Sequence, residues 1–210
     1  MIENSINNIL VLAPHTDDGE IGCGGLISKF KREGKKVTYV AFSICEESVP
    51  EGLPKNILET EVRNATNKLK IDKLIIYKFK VRYFPKYRQE ILEEMVKLNK
   101  EIKPDLVLMP MSSDVHQDHK TIYEEGVRAF RKTNLLGYEL VWNNLEIKNH
   151  LFVKLKEDDI INKINSINEY KSQSFRDYID SDFIKSLAIV RGKQINVDYC
   201  ETFEIIRLII

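Results

Sequence analysis

The sequence predicts an α/β fold: a Rossmann-like, mostly parallel sheet flanked by helices, with a C-terminal extension of the same domain. Three observations predict it. Short apolar runs alternate with longer segments of helical spacing, which is the pattern of βαβ units. The runs are apolar at every position rather than at alternate ones, as in strands buried on both faces. The helical segments end where Gly34 and the Lys103-Pro104 pair would stop them.

In chain order, Ile9–Ala13 is the first strand, and Ile21–Glu33 reads as a helix ended by Gly34. Val37–Phe42 is a second β-branched and aromatic run. Ile57–Leu69 follows with Leu58, Val62, Ala65 and Leu69 at helical spacing. Lys73–Phe79 contains a third strand, LIIY, and Gln89–Ile102 is a helix. Leu106–Met109 is a fourth buried strand, and Lys120–Arg131 a helix with Ile122, Val127 and Phe130 on related faces. Beyond Leu135 the pattern changes: Leu151–Leu155 reads as a strand, Asp159–Tyr170 and Phe183–Arg191 as helices, and Phe203–Ile210 as a last strand. Right-handed crossovers put helices on both faces of such a sheet. No repeat or linker divides the 210 residues, so one domain over residues 1–210 is expected, a small α+β extension being the alternative.

Charge excludes some partners. Acidic and basic residues balance at 32 each. A neutral chain has no general field for nucleic acid or anionic lipid. Cys23, Cys45 and Cys200 are well separated and odd in number, as in a reduced cytosolic protein that needs no disulfides. MIENSINNILVLAPH has no basic n-region, and no stretch reaches the ~20 apolar residues of a membrane span. A cytoplasmic protein acting on a small molecule is expected, without nucleic acid and without membrane insertion.

In open α/β sheets ligands bind beyond the carboxyl ends of the strands. Two polar clusters fall there: His15–Glu20 after the first strand, and Asp114–His119, DVHQDH, after the fourth. They hold three of the chain's four histidines. Imidazole with carboxylate suits zinc and related divalent ions, and a catalytic site needs about three protein ligands and an open position. His15 and Asp18 can aim at one point from a turn, and His119 would complete a facial set. Asp17 is then free, and a free carboxylate beside the open position is a general base. A lone His-x-x-Asp is usually a helix cap with a solvated histidine, and Asp17 or Asp18 could be the N-cap of the next helix. A cap needs one acid, however, and three stand here.

Gly22, Gly24 and Gly25 fit close packing of helix on strand better than a dinucleotide fingerprint, which would need glycine where Ile27 stands. Cys23 reads as a small buried filler, the basic run Lys29–Lys36 as solvated surface at a helix C-terminus, and His150 as structural.

PHTDDGEIGCGG with HQDH resembles the zinc-dependent N-deacetylases of the PIG-L/LmbE-like family, which carry an A-H-P-D-D-type loop and a downstream H-x-D-H. The likeness extends to Glu61 and Ala65, KPDLVLMP and YCETFEII. RQEIL, LGYELVWNN and YKSQ resemble a bacterial, sugar-modifying branch. The resemblance implies His15, Asp18 and His119 as ligands of Zn2+ or another divalent transition ion, and Asp17 as base. His116 would assist the tetrahedral intermediate or protonate the leaving amine, with a bell-shaped pH profile, and Asp118 would orient or tune His116. Thr16 replaces a common proline, and Gly19 a common glutamate whose acid stands instead at Glu20. The implied reaction removes an N-acyl group, an acetyl in the first instance, from an amino-sugar conjugate, which could be nucleotide-linked; family members often form homo-oligomers.

Arg82, with Tyr83 and Arg88, follows the third strand and is the candidate for a phosphate or sugar hydroxyl, against a plain surface cation. Tyr138, Trp142 and Asn143 could line the pocket, against a core or interface role for Trp142; Gln173 and Arg191 are weaker candidates. The rival readings are another metal-dependent hydrolase acting on a small phosphorylated or glycosylated metabolite, for which Asp114 and Glu20 are the spare acids of a second metal, and a non-catalytic metal-binding relative. Structural zinc sites are closed and cysteine-rich, and no cysteine joins this cluster.

Overall fold

The computed structural model describes residues 5–209. Glu3 and the last residue of the strand expected over Phe203–Ile210 lie outside the described residues. The strands are β1 (Asn8–Ala13), β2 (Lys36–Ala41), β3 (Lys73–Ile76), β4 (Leu106–Pro110), β5 (Asn134–Tyr138), β6 (Leu151–Leu155) and β7 (Tyr199–Arg207). The helices are α1 (Asp18–Arg32), α2 (Ile57–Lys68), α3 (Arg88–Ile102), α4 (Gln117–Ala129), α5 (Glu157–Ile167) and α6 (Ser181–Lys193).

Seven strands form one sheet in the order β3-β2-β1-β4-β5-β7-β6. The first five are parallel, and β7 pairs antiparallel with both β5 and β6. Side chains alternate across the sheet as the pleat requires. Ile9, Val11 and Ala13 of β1 pack into one core with α1 and α2, whereas Leu10 and Leu12 pack into the other with α3 and α4. Helix α5 lies over α1 and α2, and α6 packs on β7. Both faces of the parallel strands are therefore covered, which is why their sequences are apolar throughout.

Strand β5 lies in a region the sequence pattern did not resolve, because Gly137 interrupts the apolar NLLGY. A glycine in a strand marks close backbone approach. Here a Cβ at Gly137 would sit 2.9 Å from Met111 Cα.

Helix α1 starts three residues before the expected Ile21 and is kinked at Cys23, whose φ of −146° and ψ of 21° are not helical. The helix restarts beyond the kink, so its new first N–H groups lack intrahelical partners. Glu201 of β7 supplies them, accepting from Gly25 N at 2.9 Å and Leu26 N at 2.7 Å, and Lys163 of α5 balances its charge at 2.7 Å. Gly22 lets this half-helix lie against the sheet: a Cβ there would run into the ring of Tyr138. The close packing expected of the glycines is what the structure contains.

The strand order reverses its sense of travel between β1 and β4, which are parallel neighbours. Their carboxyl ends point the same way, and a crevice opens between the loops that leave them.

Candidate active site

Three donor atoms meet in that crevice. His15 Nδ1 and Asp18 Oδ2 are 3.1 Å apart, His119 Nε2 and Asp18 Oδ2 3.2 Å, and His119 Nε2 and His15 Nδ1 3.1 Å. Tetrahedral metal bonds of 2.0–2.2 Å put neighbouring donors about 3.3–3.5 Å apart. The near-equilateral triangle is close to one face of such a polyhedron, so the donor set fits a divalent ion. The far nitrogens fit it too. His15 Nε2 meets Asp118 Oδ2 at 3.1 Å, and His119 Nδ1 meets Asp114 Oδ2 at 2.7 Å. Carboxylates behind ligating imidazoles hold the ring and raise its basicity. Ring nitrogens of His15, His116 and His119 also lie within 4.8 Å of one another, so the histidines alone could hold a metal. The triangle that includes Asp18 is tighter.

Local folding explains the convergence. Asp18 Oδ2 accepts from His15 N at 2.8 Å, closing the loop on itself at the mouth of α1. Helix α4 begins three residues before the expected Lys120 because His116 is its N-cap: Nδ1 accepts from Asp118 N at 3.2 Å. His119 consequently sits in the first turn of the helix, facing β1, and Asp114 Oδ1 accepts from His116 N at 2.8 Å.

The electrostatics separate the two neighbouring aspartates. Burial opposes ionisation of Asp18, but the His119 and His15 imidazoles overcome it and hold its carboxyl well below the usual range. Asp17 is pushed up to about 6, by burial first and then by the Asp18 charge. Its side chain makes no cap hydrogen bond to α1, although Asp17 occupies the N-cap position, and it lines the cavity. His119, despite burial, is raised to about 10 by Asp18 and Asp114, which marks a site that favours positive charge. His116 moves the other way, to about 4, through burial and then the His119 and His15 rings. A neutral His116 whose Nδ1 accepts from a backbone N–H carries its own proton on Nε2.

Several expectations need correction. Asp118 acts on His116 through its backbone N–H and its charge, not through a carboxylate hydrogen bond; Oδ2 goes to His15 and accepts from Arg82 N at 2.6 Å, and Oδ1 accepts from Phe84 N at 3.2 Å. His116 instead receives the Asp118 backbone N–H, because the first helical turn points the carboxylate away from the cap. Tyr138 is not a pocket residue: it is fully buried beneath Gly22, and its hydroxyl donates to Leu12 O at 2.9 Å. Arg191 lies away from the cavity in a two-point pair with Glu139, at 3.0 and 2.8 Å. Neither spare acid is free for a second metal. Asp114 holds His119, and Glu20 is fully buried against the Tyr39 hydroxyl and, at 3.0 Å, the Tyr170 hydroxyl. Burial pushes Glu20 up to about 8. Both phenols also reach Thr16 O, at 2.9 and 2.7 Å, so this cluster supports the loop from below.

Above the donors is a cavity of about 280 Å³, whose walls include Arg82, Trp142, Asn143, Gln173, Arg176 and Tyr178. Arg82, Trp142, Asn143 and the weaker candidate Gln173 thus line the cavity. Trp142 stacks on Tyr178 with ring centroids 4.0 Å apart and planes at 15°, and the residue remains 39% exposed. Arg176 and Tyr178 escaped the sequence reading because SFRDYID folds into short turns without periodicity. Asp114 had a usable signal, being the first acid of D-x-H-x-D-H, and its partner His119 was already singled out.

The comparisons with known proteins bear on the family and the fold. The PIG-L family profile, described as GlcNAc-PI de-N-acetylase, matches residues 10–130. The chain is 25% identical to the diacetylchitobiose deacetylase of Thermococcus kodakarensis over 223 residues, spanning 94% of this chain and 82% of that protein. Among solved structures, the conserved protein TT1542 of Thermus thermophilus superposes with a TM-score of 0.80 at 25% identity, covering 98% and 97% of the two chains. The N,N'-diacetylchitobiose deacetylase of Pyrococcus horikoshii, solved with an inhibitor, gives 0.80 at 22% identity over 97% and 85%, which is a likeness of fold. The family match spans more than half of the chain and includes both loops of the crevice, and this protein belongs to the PIG-L family of de-N-acetylases.

Proposed function

We propose that the protein hydrolyses the N-acyl group, an acetyl in the first instance, of an amino-sugar conjugate, releasing free amine and carboxylate. The observation that carries this reading is the triangle of His15 Nδ1, Asp18 Oδ2 and His119 Nε2 with the free carboxylate of Asp17 beside it. Nitrogen and oxygen donors of this kind suit Zn2+, and another divalent transition ion would use the same set. When bound, such an ion polarises the amide carbonyl and lowers the pKa of water.

The chain's own residues supply the rest. Asp17, with a carboxyl near 6, is ionised at neutral pH and takes the proton of the attacking water. Having taken it, Asp17 is also the group able to return it to the leaving amine. Neutral His116 directs its Nε2–H at the carbonyl oxygen as charge develops there. Asp118 and Asp114 hold the two ligand imidazoles, so the proposed role of Asp118 extends from His116 to His15. Trp142 and Asn143 contact the sugar, the indole offering a flat apolar face to a pyranose.

The engagement of Asp114 and Glu20 disfavours a two-metal phosphoesterase, and the absence of cysteine among the donors disfavours a closed structural site. Among the described residues no helix is long and apolar enough to cross a membrane. Residues 1–210 are read as one domain working in the cytoplasm on a small N-acylated sugar, free or nucleotide-linked, as a monomer or a homo-oligomer.

The test is an amine-release screen over free, lipid-linked and nucleotide-linked N-acetylated sugars, with metal analysis and chelation. Amine is expected from at least one conjugate, with loss on chelation and recovery on adding Zn2+. Metal-loaded protein that releases amine from none of them would overturn the reading.

A further inference from the structure

Two arginines on the cavity wall, Arg82 and Arg176, close on no carboxylate at ion-pair distance among the described residues. Arg32, Arg63, Arg88, Arg128 and Arg191 each close on a carboxylate within 3.0 Å. Arg82 and Arg176 make none of the ion pairs found among the described residues; their side-chain partners are neutral. Arg82 Nη2 reaches Ser48 Oγ at 3.3 Å, and Arg176 Nε donates to Gln173 Oε1 at 2.7 Å. Guanidinium groups without a carboxylate, in a cavity, are receptors for planar or tetrahedral oxyanions.

Both are held in place by machinery beneath them. Arg82 is one of few non-glycine residues with a left-handed backbone, at φ 68°, a conformation that costs free energy unless its surroundings impose it. They do: Arg82 N donates to Asp118 Oδ2 at 2.6 Å, and Arg82 O accepts from the Gln117 side chain. The HQDH segment that carries a metal donor therefore also clamps the arginine. Arg176 is fixed by a relay. Gln173 donates to Ser172 Oγ at 3.1 Å, and Ser172 is locked to buried Glu61 through Oγ at 2.6 Å and N at 2.8 Å. Its guanidinium also lies over the Phe175 and Tyr178 rings, 5.2 and 5.5 Å from their centroids. Neither guanidinium is neutralised by an ion pair at contact distance, although the Arg176 charge also acts on Asp17 across the cavity.

We propose that the cavity selects an amino sugar bearing an anionic substituent, a phosphate or a carboxylate, which Arg82 and Arg176 receive while the N-acyl group faces Asp17. The inference rests on the N-deacetylase reading of the same site. Position gives it a direction: the guanidinium groups stand on the cavity wall and Asp17 and Asp18 on its floor, so an anion held by the arginines keeps the charged end of the substrate at the wall. The N-acyl end is thereby presented to the donors.

The test compares the metal-loaded enzyme on N-acetylglucosamine, its 1-phosphate, a nucleoside-diphosphate derivative and N-acetylmuramic acid. Expected is a kcat/KM for at least one charged sugar about tenfold or more above the uncharged one, expressed mainly in KM. In R82A, R176A and the double variant this ratio should fall toward one, with R82K and R176K retaining part of it. The preferred arm separates phosphate from carboxylate. Equal kcat/KM on charged and uncharged sugars, or an unchanged ratio in the double variant, would overturn the inference while leaving the deacetylase reading intact. Should no sugar release amine, calorimetric binding of glucosamine 1-phosphate decides separately: binding weakened about tenfold in R82A and R176A supports the anion site, and equal binding removes it.

Discussion

The floor and the rim of the cavity are built by different means. On the floor, His15, Asp18 and His119 come from the first turns beyond β1 and β4, and each of the two imidazoles has a carboxylate behind it. On the rim, Arg82, Trp142, Gln173, Arg176 and Tyr178 come from short turns and loops between elements. The floor is set by two strands of a buried sheet and by a helix cap. The rim is set by side-chain hydrogen bonds to loop segments, as on Arg82 and Ser172, and by one aromatic stack. Under the proposed function, chemistry that needs fixed geometry would sit on the strand-anchored floor, and recognition on loops that the scaffold positions.

The two can be separated by substitution. Asp17→Asn should lower kcat about 10²–10⁴-fold while metal content, by elemental analysis, stays at the wild-type level. Retained turnover would place the base elsewhere. Asp114→Asn removes the support of His119 rather than a ligand, and should weaken metal affinity about 10–100-fold in a competitive chelator titration. Wild-type affinity would show that the floor does not depend on the carboxylates behind its imidazoles.

The third test lies under the floor. Glu20, raised to about 8 from an ordinary 4.5, binds more protons folded than unfolded. Its contribution is therefore fully present below its unfolded pKa and is lost as pH rises through about 8. Glu20→Gln, which imitates the neutral carboxyl, should flatten this slope, at most about tenfold in the folding equilibrium per pH unit, in denaturant unfolding at fixed metal. A slope unchanged in the variant would mean that Glu20 is not held neutral. The smallest effect belongs to the rim: Trp142→Ala should raise KM about two- to tenfold with kcat little changed. A loss of kcat instead would join rim to floor.

The same division governs what could be read before folding. The parallel strands were legible because burial on both faces makes them apolar throughout, and Ile9–Ala13 and Leu106–Met109 differ little from β1 and β4. Strand β5 was not, because Gly137 answers to the backbone of Met111 rather than to any pattern in its own segment. His15, Asp18 and His119 stood out as histidines and acids at strand ends. Tyr138 did not behave as its aromatic, polar-tipped character suggested, since its hydroxyl finds Leu12 O inside the core. Asp118 was recognisable as part of the cluster but not assignable to a ring, because that depends on where the cap of α4 turns its side chain.

The order of elements, the edge at which the site lies and the residue types that meet there were determined by the sequence itself, through apolar runs and their polar ends. Tertiary structure alone decided which carboxylate serves which imidazole, which of two adjacent aspartates is held ionised, and which arginines lack an acid. Those outcomes depend on distances between segments about a hundred residues apart in the chain, and electrostatic and hydrogen-bond energies follow distance rather than sequence.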